Sequence, residues 1–412
     1  MLPDNNSISN FTKQSFFKDL TSKQISSGII AWLFGVTGPL LIVLQAAEQG
    51  NLNQPTIISW IFSIYVVGGL LSVALSFLYR QPMAVAFSIP GAILVGTALS
   101  NHRFEEIIGV YLITGLLILV LGLSGIVNKM MSLVPMPIVM GMVSGVLLPF
   151  GLNILFSLTE NSLLNGIILL SFFIFSMFSS INRFFPPILG TLLLAFILLT
   201  FSGLLEWEPS GPIIAVPSFY MPAFSWSSIG ELVIPLTVTV IAIQNAQGIA
   251  IMKDSGYRPP INAMTNWSGI GSLVNGFFGA HSACIAGPMT AILTSDGKEG
   301  KGKHYTASIV MGAMWIVFGL LAPVMIGLVQ GIPSSVIYLL GGLAMLGVLN
   351  SSLKATFTSK FQMGALFSFI ITVADLTFLG IGAPFWGMVG GILISLMMER
   401  RDFKYLIREQ AS

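Results

Sequence analysis

The chain has 412 residues, of which 54% are hydrophobic and only 8% are charged, and its formal net charge is +2. Soluble domains carry about 25% charged residues, so this composition excludes a soluble globular enzyme and a disordered chain. So small a net charge indicates no nucleic-acid partner, and the single cysteine, Cys284, excludes an internal disulfide. Residues 1–27 are polar, lack the apolar core of a signal peptide, and are expected to form a cytoplasmic tail.

The rest of the chain predicts an all-α polytopic membrane protein, because apolar residues recur in runs near the length of about 20 that crosses a bilayer. The third and tenth runs are short and interrupted. Only "DLTFLGIGAP" separates the last two, so counts of twelve and thirteen stay open beside fourteen. The fourteen predicted spans are residues 28–47, 56–79, 83–99, 106–128, 133–156, 163–180, 185–205, 230–252, 261–279, 282–294, 305–330, 332–350, 363–374 and 383–398.

The distribution of positive charge supports fourteen spans. With the N-terminus in the cytoplasm, this count places 17 of the 18 Lys and Arg residues, all except Arg103, on the cytoplasmic side. The positive-inside rule predicts such an excess, and a miscounted central span would scramble it. Both termini, including a tail at residues 399–412, are therefore expected in the cytoplasm, and the loop that contains Arg103 outside.

Three short stretches recur in the same order: "LQAAEQG" as "IQNAQGI", "AFSIPGAIL" as "CIAGPMTAI", and "VPMPIVMGMVSG" as "IPSSVIYLLGGL". The matched positions, 199, 198 and 198 residues apart, are Gln45 and Gln244, Pro90 and Pro288, and Pro135 and Pro333. A shared offset implies a duplicated unit of seven spans. Because seven is odd, the fourteen transmembrane segments are predicted to form 7+7 inverted repeats, an architecture typical of secondary transporters.

The two interrupted spans, the third and the tenth, are predicted to hold a binding site. Proline and glycine break the helix in "AFSIPGAIL" and in "CIAGPMTAI". Non-helical backbone at this depth is tolerated only where it is buried in protein or lines a cavity. Each segment is expected to be half extended and half helical, with N–H groups and a positive helix end that favour an anion. The alternative is a pair of proline kinks that serve packing alone.

His281 is the only histidine within a predicted span, since His102 and His304 fall in loops. An ionisable group inside a membrane is a functional candidate, and histidine titrates near physiological pH. As a cation, His281 would pair with a carboxylate and carry a coupled proton. The alternative is a neutral histidine that bonds a backbone carbonyl.

Polar and small residues near the breaks complete the candidate site. Amides would hydrogen-bond a carboxylate, although they also hold membrane helices together. Hydroxyls would donate to an oxyanion or bond their own helix, and an aromatic side chain would stack on a ring or merely pack. The candidate substrate-binding residues are Thr37, Gln45, Phe87, Ser88, Pro90, Gly91, Gln244, Asn245, His281, Ser282 and Ala283.

Other classes of protein lack support in the sequence. The spans contain no cluster of catalytic acids and no His-rich metal motif, so no enzyme, metal site or cofactor is predicted. No nucleotide-binding motif indicates an ATP-driven pump. A secondary transporter for a small organic anion is the leading hypothesis. An anion channel is the second, but the apolar spans favour alternation around one site over a continuous polar path.

Four stretches carry a family resemblance: "YRQPMAVAFSIPGAIL", "AIQNAQGIAIMKDSGYRPP", "NGFFGAHSACIAGPMTAI" and "LTFLGIGAPFWGMVGG". Over residues 28–398 the chain resembles the BenE-type benzoate transporters, relatives of the nucleobase, ascorbate and sulfate-type transporters. The resemblance implies a core domain of spans 1–4 (28–128) and 8–11 (228–330). It implies a gate domain of spans 5–7 (129–227) and 12–14 (331–398). Substrate would lie between the facing ends of spans 3 and 10, beside spans 1 and 8.

The resemblance also implies an activity: proton symport of benzoate or a related aromatic carboxylate across a bacterial plasma (inner) membrane. It implies elevator-type alternating access and a homodimer formed through the gate domain. Nucleobase carriers of this fold place carboxylates on spans 8 and 10, whereas this chain has Gln244 and Asn245 on span 8 and no acid in "AHSACIAGP". The substitution suits an anionic substrate but removes the obvious proton carriers. A nucleobase or inorganic-anion transporter or channel of the same fold remains an alternative.

Overall fold

The computed structural model describes residues 13–36, 38–127, 135–177, 187–205, 212–294, 301–357, 360–375, 378 and 383–403. Its first half contains α1 (Lys13–Asp19), α2 (Ser22–Val36), α3 (Gly38–Gln49), α4 (Gln54–Tyr79), strand β1 (Val85–Phe87), α5 (Ile89–Leu99), α6 (Phe104–Ser124), α7 (Met136–Glu160), α8 (Ser162–Met177) and α9 (Pro187–Phe201). Its second half contains α10 (Trp226–Val238), the π-helix π1 (Thr239–Asn245), α11 (Ala246–Asp254), α12 (Ile261–Phe277), strand β2 (Ala283–Ile285), α13 (Gly287–Leu293), α14 (His304–Leu320), α15 (Ala322–Gln330), α16 (Ser334–Thr356), α17 (Gln362–Val373) and α18 (Ala383–Met398).

Six helical segments of the described chain are long and apolar enough to cross a membrane. They become seven when α14 and the first residues of α15, which meet at 73°, count as one bent span. The shorter apolar helices among the described residues are α5, α8, α9, α17 and α18. Every predicted apolar segment contains a described helix. The crossing number of fourteen and the inverted repeat stay predictions.

Helix starts follow local sequence signals. The Asn53 side chain accepts the N–H of Thr56 at 3.0 Å and so caps α4, which has Pro55 in its first turn. At the start of α6, the Glu106 carboxylate accepts the N–H of Arg103 at 3.1 Å. These bonds satisfy N–H groups for which the helix itself has no acceptor, and they fix where the preceding loops end.

The helices form two groups by their contacts, and one buried hydrophobic cluster contains residues of both groups. In the first helix group (α2–α6 and α10–α14), α4 lies against α14 and α6 against α12. Glycines allow this closeness, since a Cβ on Gly69 would lie 2.5 Å from the carbonyl oxygen of Gly312. In the second helix group (α7–α9 and α16–α18), α7 packs with α16, α17 and α18. The groups meet where α3 contacts α16 and α5 contacts α7.

Candidate functional site

The two broken segments meet inside the protein. Strands β1 and β2 pair antiparallel, with Phe87 opposite Ala283. The pairing continues beyond the strands, where the Ser88 N–H donates to the carbonyl oxygen of Ser282 at 3.1 Å. Every residue of both strands is buried, so each strand supplies hydrogen bonds that lipid cannot supply. The predicted extended halves of segments 3 and 10 are present, and they stabilise each other.

The outer edges of this strand pair bond serines of neighbouring helices. On α4, Ser72 Oγ accepts the N–H of Val85 at 2.9 Å and donates to its carbonyl oxygen at 3.1 Å. On α12, Ser272 Oγ accepts the N–H of Ala283 at 3.0 Å. An unbonded strand edge would be costly in apolar surroundings. The serines therefore allow strands of three residues to persist at this depth.

Helices α5 and α13 follow strands β1 and β2 directly along the chain. Because the strands are antiparallel, the two helices leave in opposite directions with both N-termini in the interior. The N-cap of α5 is Ser88, whose Oγ accepts the N–H of Gly91 at 3.1 Å, and Pro90 lies in the first turn. Helix α13 starts at Gly287 behind Ala286, which provides no side-chain cap. Both ends carry partial positive charge, which suits an anionic ligand.

The N-cap of α5 leaves no room for a side chain at position 91. A Cβ at this position would lie 2.9 Å from the Ser88 Cβ and 3.3 Å from the Leu236 Cδ2 of α10. Pro90, one residue earlier, faces α7 across an apolar seam with no room for a water molecule. The seam residues are Pro90, Ile93, Leu94, Met142, Val143, Val146 and Leu147.

A cavity of about 390 Å³ adjoins this seam, since Ile93 and Val146 line both. It separates α3 and α5 of the first helix group from α7 of the second, and it is called the polar cavity below. Its lining residues are Gln49, Ile93, Thr97, Ser100, Asn101, Val146, Pro149, Phe150 and Asp375. The cavity and the seam together connect the loop behind α5 with Pro90 at the start of that helix.

His281 is fully buried and uses both ring nitrogens. Its Nδ1 accepts the indole N–H of Trp60 at 3.0 Å, and its Nε2 lies 2.9 Å from the carbonyl oxygen of Ser88. The indole nitrogen of tryptophan can only donate, so Nδ1 is the unprotonated nitrogen of the neutral imidazole. Nε2 therefore carries the hydrogen and donates a hydrogen bond to the carbonyl oxygen of Ser88. Phe87, itself 3% exposed, meets the imidazole edge-on at 5.6 Å. The geometry is that of a neutral histidine bonded to a backbone carbonyl, and its predicted role in proton transfer stays a prediction.

Gln244 and Asn245 end the π-helix π1 and are both buried. The Asn245 Oδ1 accepts the N–H of Ile285 at 2.7 Å, and its Nδ2 donates to Ser268 Oγ at 3.3 Å. Asn245 therefore anchors β2. The Gln244 amide, 7% exposed, forms no hydrogen bond with another described residue.

The remaining candidates lie in different surroundings. The Gln45 Nε2 donates to the carbonyl oxygen of Ile337 on α16 at 3.2 Å, so this amide faces the second helix group and not the strands. The Ser282 hydroxyl is buried beside the strand pair and has no hydrogen-bond partner in the described part of the chain. Thr37 lies outside the described residues. The structure thus brings together the candidates at 87–91 and at 281–283 and leaves Gln45 apart.

Sequence analysis missed several polar groups. Trp60 gave no signal, because a tryptophan within an apolar span is unremarkable until its partner is known. The exposed Gln247 side chain lies against the start of α13, where a Cβ on Gly287 would be 2.5 Å from its Cγ. It is the third amide of "QNAQG" and could have been singled out. Glu231, 3% exposed, lies 2.7 Å from the imidazole of His102.

Within the described ranges, no group of three or more His, Cys, Asp or Glu side chains could hold a metal ion. The described residues instead bring together two helix N-termini, the Gln244 amide and the Ser282 hydroxyl, all of which are hydrogen-bond donors. Broken segments that meet inside a bundle of apolar helices are a feature of secondary transporters.

Solved structures of anion transporters share this fold. The structure of SLC26A9 superimposes with a TM-score of 0.66 at 15% sequence identity, over 95% of this chain and 66% of that chain. The transmembrane domain of the cyanobacterial bicarbonate transporter BicA gives a TM-score of 0.61 at 15% identity, over 91% of this chain and 96% of that domain. The chain therefore shares the fold of these transporters, and its long apolar helices make it an integral membrane protein.

The chain belongs to the BenE family of benzoate membrane transport proteins, whose family model matches residues 18–397. The benzoate membrane transport protein of Acinetobacter baylyi is 31% identical over 374 residues, which are 89% of this chain and 93% of that protein. The inner membrane protein YdcO of Escherichia coli is 29% identical over 385 residues, 92% of this chain and 97% of that protein. The resemblance found in the sequence is confirmed, and the protein is a membrane transporter and not an enzyme.

Proposed function

We propose that the protein takes up benzoate, or a closely related aromatic carboxylate, together with a proton across the bacterial inner membrane. The observation that carries the proposal is the antiparallel pairing of β1 with β2, which holds the N-termini of α5 and α13 in the interior of a BenE-family chain. The candidate residues at 87–91 and 281–283, with Gln244 beside them, are the proposed substrate site.

The chemistry of this site suits an aromatic carboxylate. Partial positive charge at the helix ends and the free Gln244 amide would bind the carboxylate group. Neither Gln244 nor Asn245 carries a negative charge to repel it. The adjoining seam, with Pro90 and Val143, is apolar but closed in this structure, and it would contact a ring once α5 and α7 move apart. An inorganic anion would gain nothing from that seam.

Alternating access is proposed to occur by an elevator movement of the first helix group against the second. The proposed core covers residues 28–128 and 228–330, and the proposed gate covers 129–227 and 331–398. The seam between α5 and α7 is apolar, and apolar contacts have no directional bonds that must break when surfaces slide. A homodimer through the gate, and both termini in the cytoplasm, belong to the same proposal.

Ligand-induced thermal stabilisation of the purified protein tests the substrate. Benzoate is expected to raise the melting temperature progressively as its concentration exceeds its Kd, while a nucleobase, sulfate and bicarbonate leave it unchanged. Uptake of labelled benzoate into proteoliposomes should then saturate and be inhibited by unlabelled benzoate. Stabilisation by bicarbonate or sulfate but not by benzoate would contradict the proposal and favour an inorganic-anion transporter, the activity named for the structural neighbour BicA.

A further inference from the structure

A buried acid–imidazole pair lies beside the polar cavity, away from the strands. Nε2 of His102 and Oε2 of Glu231 are 2.7 Å apart, and the two side chains are 7% and 3% exposed. His102 lies in the loop behind α5, and Glu231 belongs to α10. The pair therefore joins the far end of the broken helix to the segment that leads into π1. Ser100 and Asn101, which directly precede His102, line the polar cavity.

Glu231 is the only carboxylate among the described residues that is almost completely buried. Buried ionisable groups in membrane proteins are costly, and they mark substrate or proton routes. The alternative carrier, His281, has both ring nitrogens occupied by Trp60 and Ser88. A second proton on its Nδ1 would replace the hydrogen bond from Trp60 with two opposed donors. The pair with Glu231 has no such obstacle, because both ring nitrogens of an imidazolium would face carboxylates, Nε2 that of Glu231 at 2.7 Å and Nδ1 that of Glu106 at 3.9 Å.

Few other charges surround the pair. The Glu106 carboxylate lies 3.9 Å from His102 Nδ1 and belongs to the first turn of α6. Arg103 is 79% exposed and pairs with the exposed Glu105 at 3.4 Å. Helices α5 and α18 and the π-helix π1, which pack against α10, contain no charged residue, while Asp375 faces the polar cavity. With a neutral imidazole, the groups at this edge of the cavity are therefore net negative.

We propose that the His102–Glu231 pair binds the coupled proton, an inference that rests on the proposed function. A proton from water in the polar cavity adds to the imidazole, and no bond to substrate forms or breaks. The pair changes from a net charge of −1, neutral imidazole beside carboxylate, to 0, imidazolium beside carboxylate. An anion at the proposed substrate site, which the seam and the cavity connect to this loop, is repelled by the first state and not by the second. Proton and substrate thus strengthen each other's binding, and this coupling is reciprocal.

The test is the pH dependence of benzoate binding by the purified full-length protein. Wild-type affinity should increase about fivefold or more from pH 8 to pH 6, both well above the pKa of a carboxylic acid, about 4. In Glu231→Gln, no carboxylate faces Nε2 to stabilise an imidazolium, so the imidazole should stay neutral and affinity should be equal at both pH values. In proteoliposomes this variant should exchange internal for external benzoate but no longer accumulate it along a pH gradient.

The matched control is Glu105→Gln, because Glu105 is an exposed carboxylate close to His102 in the sequence. This variant should behave like the wild type. His102→Gln is the second variant, and it decides the matter if Glu231→Gln does not fold. A folded variant at either position that keeps pH-dependent affinity or gradient-driven accumulation overturns the inference. So does a wild-type affinity that is equal at pH 6 and pH 8. Wild-type protein that fails to bind benzoate at either pH contradicts the proposed function itself.

Discussion

Trp60 and His281, 221 positions apart, determine each other's hydrogen bonding, because the indole N–H donates to Nδ1 at 3.0 Å. This bond leaves Nε2 as the protonated nitrogen, and it donates to the carbonyl oxygen of Ser88 at 2.9 Å. Asn275 Nδ2 in turn donates to the carbonyl oxygen of His281 at 3.1 Å. The imidazole thus ties α4 to the junction between β1 and α5, and its geometry serves to hold the two broken segments together.

His281→Gln is therefore expected to lower the melting temperature, because an unpaired buried polar group costs about 1–3 kcal/mol. The folded fraction should still accumulate benzoate along a pH gradient, since the proton is assigned to His102 and Glu231. Trp60→Phe should destabilise similarly, and the double variant should lose less than the sum of the two. Loss of gradient-driven accumulation with exchange intact in His281→Gln would return the proton to this residue.

Gly91→Leu is expected to abolish transport in a protein that still folds. A Cβ there meets its own N-cap, Ser88, at 2.9 Å, so α5 must shift from the strand pair. Overpacking of this kind costs about 1–3 kcal/mol of folding free energy, which is small enough for the protein to stay folded while the site is distorted. Gly347→Leu is the control, because nothing lies within 4 Å of a Cβ at that position. Equal uptake by the two variants, normalised to protein in the membrane, would place the substrate site elsewhere.

The sequence predicts the broken segments well and their contacts poorly. Pro90 and Pro288 interrupt apolar runs, and local sterics alone require a break at each. The pairing of the extended halves cannot be predicted from local sequence, because β1 and β2 are three residues long and almost 200 positions apart. Three-residue strands carry no periodicity from which a register could be predicted.

The hydrogen-bond partners of buried side chains cannot be predicted from the sequence either. His102 and Glu231 are 129 positions apart, and each alone resembles a solvated loop or helix-end residue. Gln45 was matched to Gln244 through the repeat, yet its amide bonds Ile337 on α16. A repeat predicts backbone equivalence. The hydrogen bonds of a side chain depend on its neighbours, and these differ between the two halves.

Gln244→Ala and Asn245→Ala are expected to separate ligand binding from stability. Gln244→Ala removes an amide that is proposed to hydrogen-bond the charged ligand. Such a bond is worth about 1.5–3 kcal/mol, so this variant should bind benzoate about tenfold or more weakly. Its melting temperature without ligand should be unchanged. Asn245→Ala leaves the buried N–H of Ile285 unpaired and should lower the melting temperature. Ligand titration and thermal unfolding measure both effects, and identical profiles for the two variants would contradict the assignment.

Arg103→Cys should be labelled by a membrane-impermeant maleimide in intact cells, because the basic-residue distribution places this loop outside. The Arg103 side chain is 79% exposed, so access is not limiting. Cys284 is replaced by alanine to remove the natural thiol. Lys301→Cys, an exposed position on the opposite predicted face, should react only after permeabilisation. The reverse pattern would overturn the fourteen-span topology.

Uptake of one proton with one carboxylate moves no net charge, so membrane voltage is expected to leave accumulation unchanged. One pH unit, acid outside, supplies about 1.4 kcal/mol and supports an inside-to-outside benzoate ratio of about ten. The entry of an uncoupled anion would instead be opposed by about 2.3 kcal/mol at 100 mV, inside negative. Its inside-to-outside ratio would then be about fiftyfold below one. Proteoliposomes with the pH gradient and a potassium–valinomycin potential set independently distinguish these cases. Protein-free vesicles correct for benzoic acid that crosses the lipid unaided. A ratio that depends on voltage at a fixed pH gradient would exclude one-to-one proton symport.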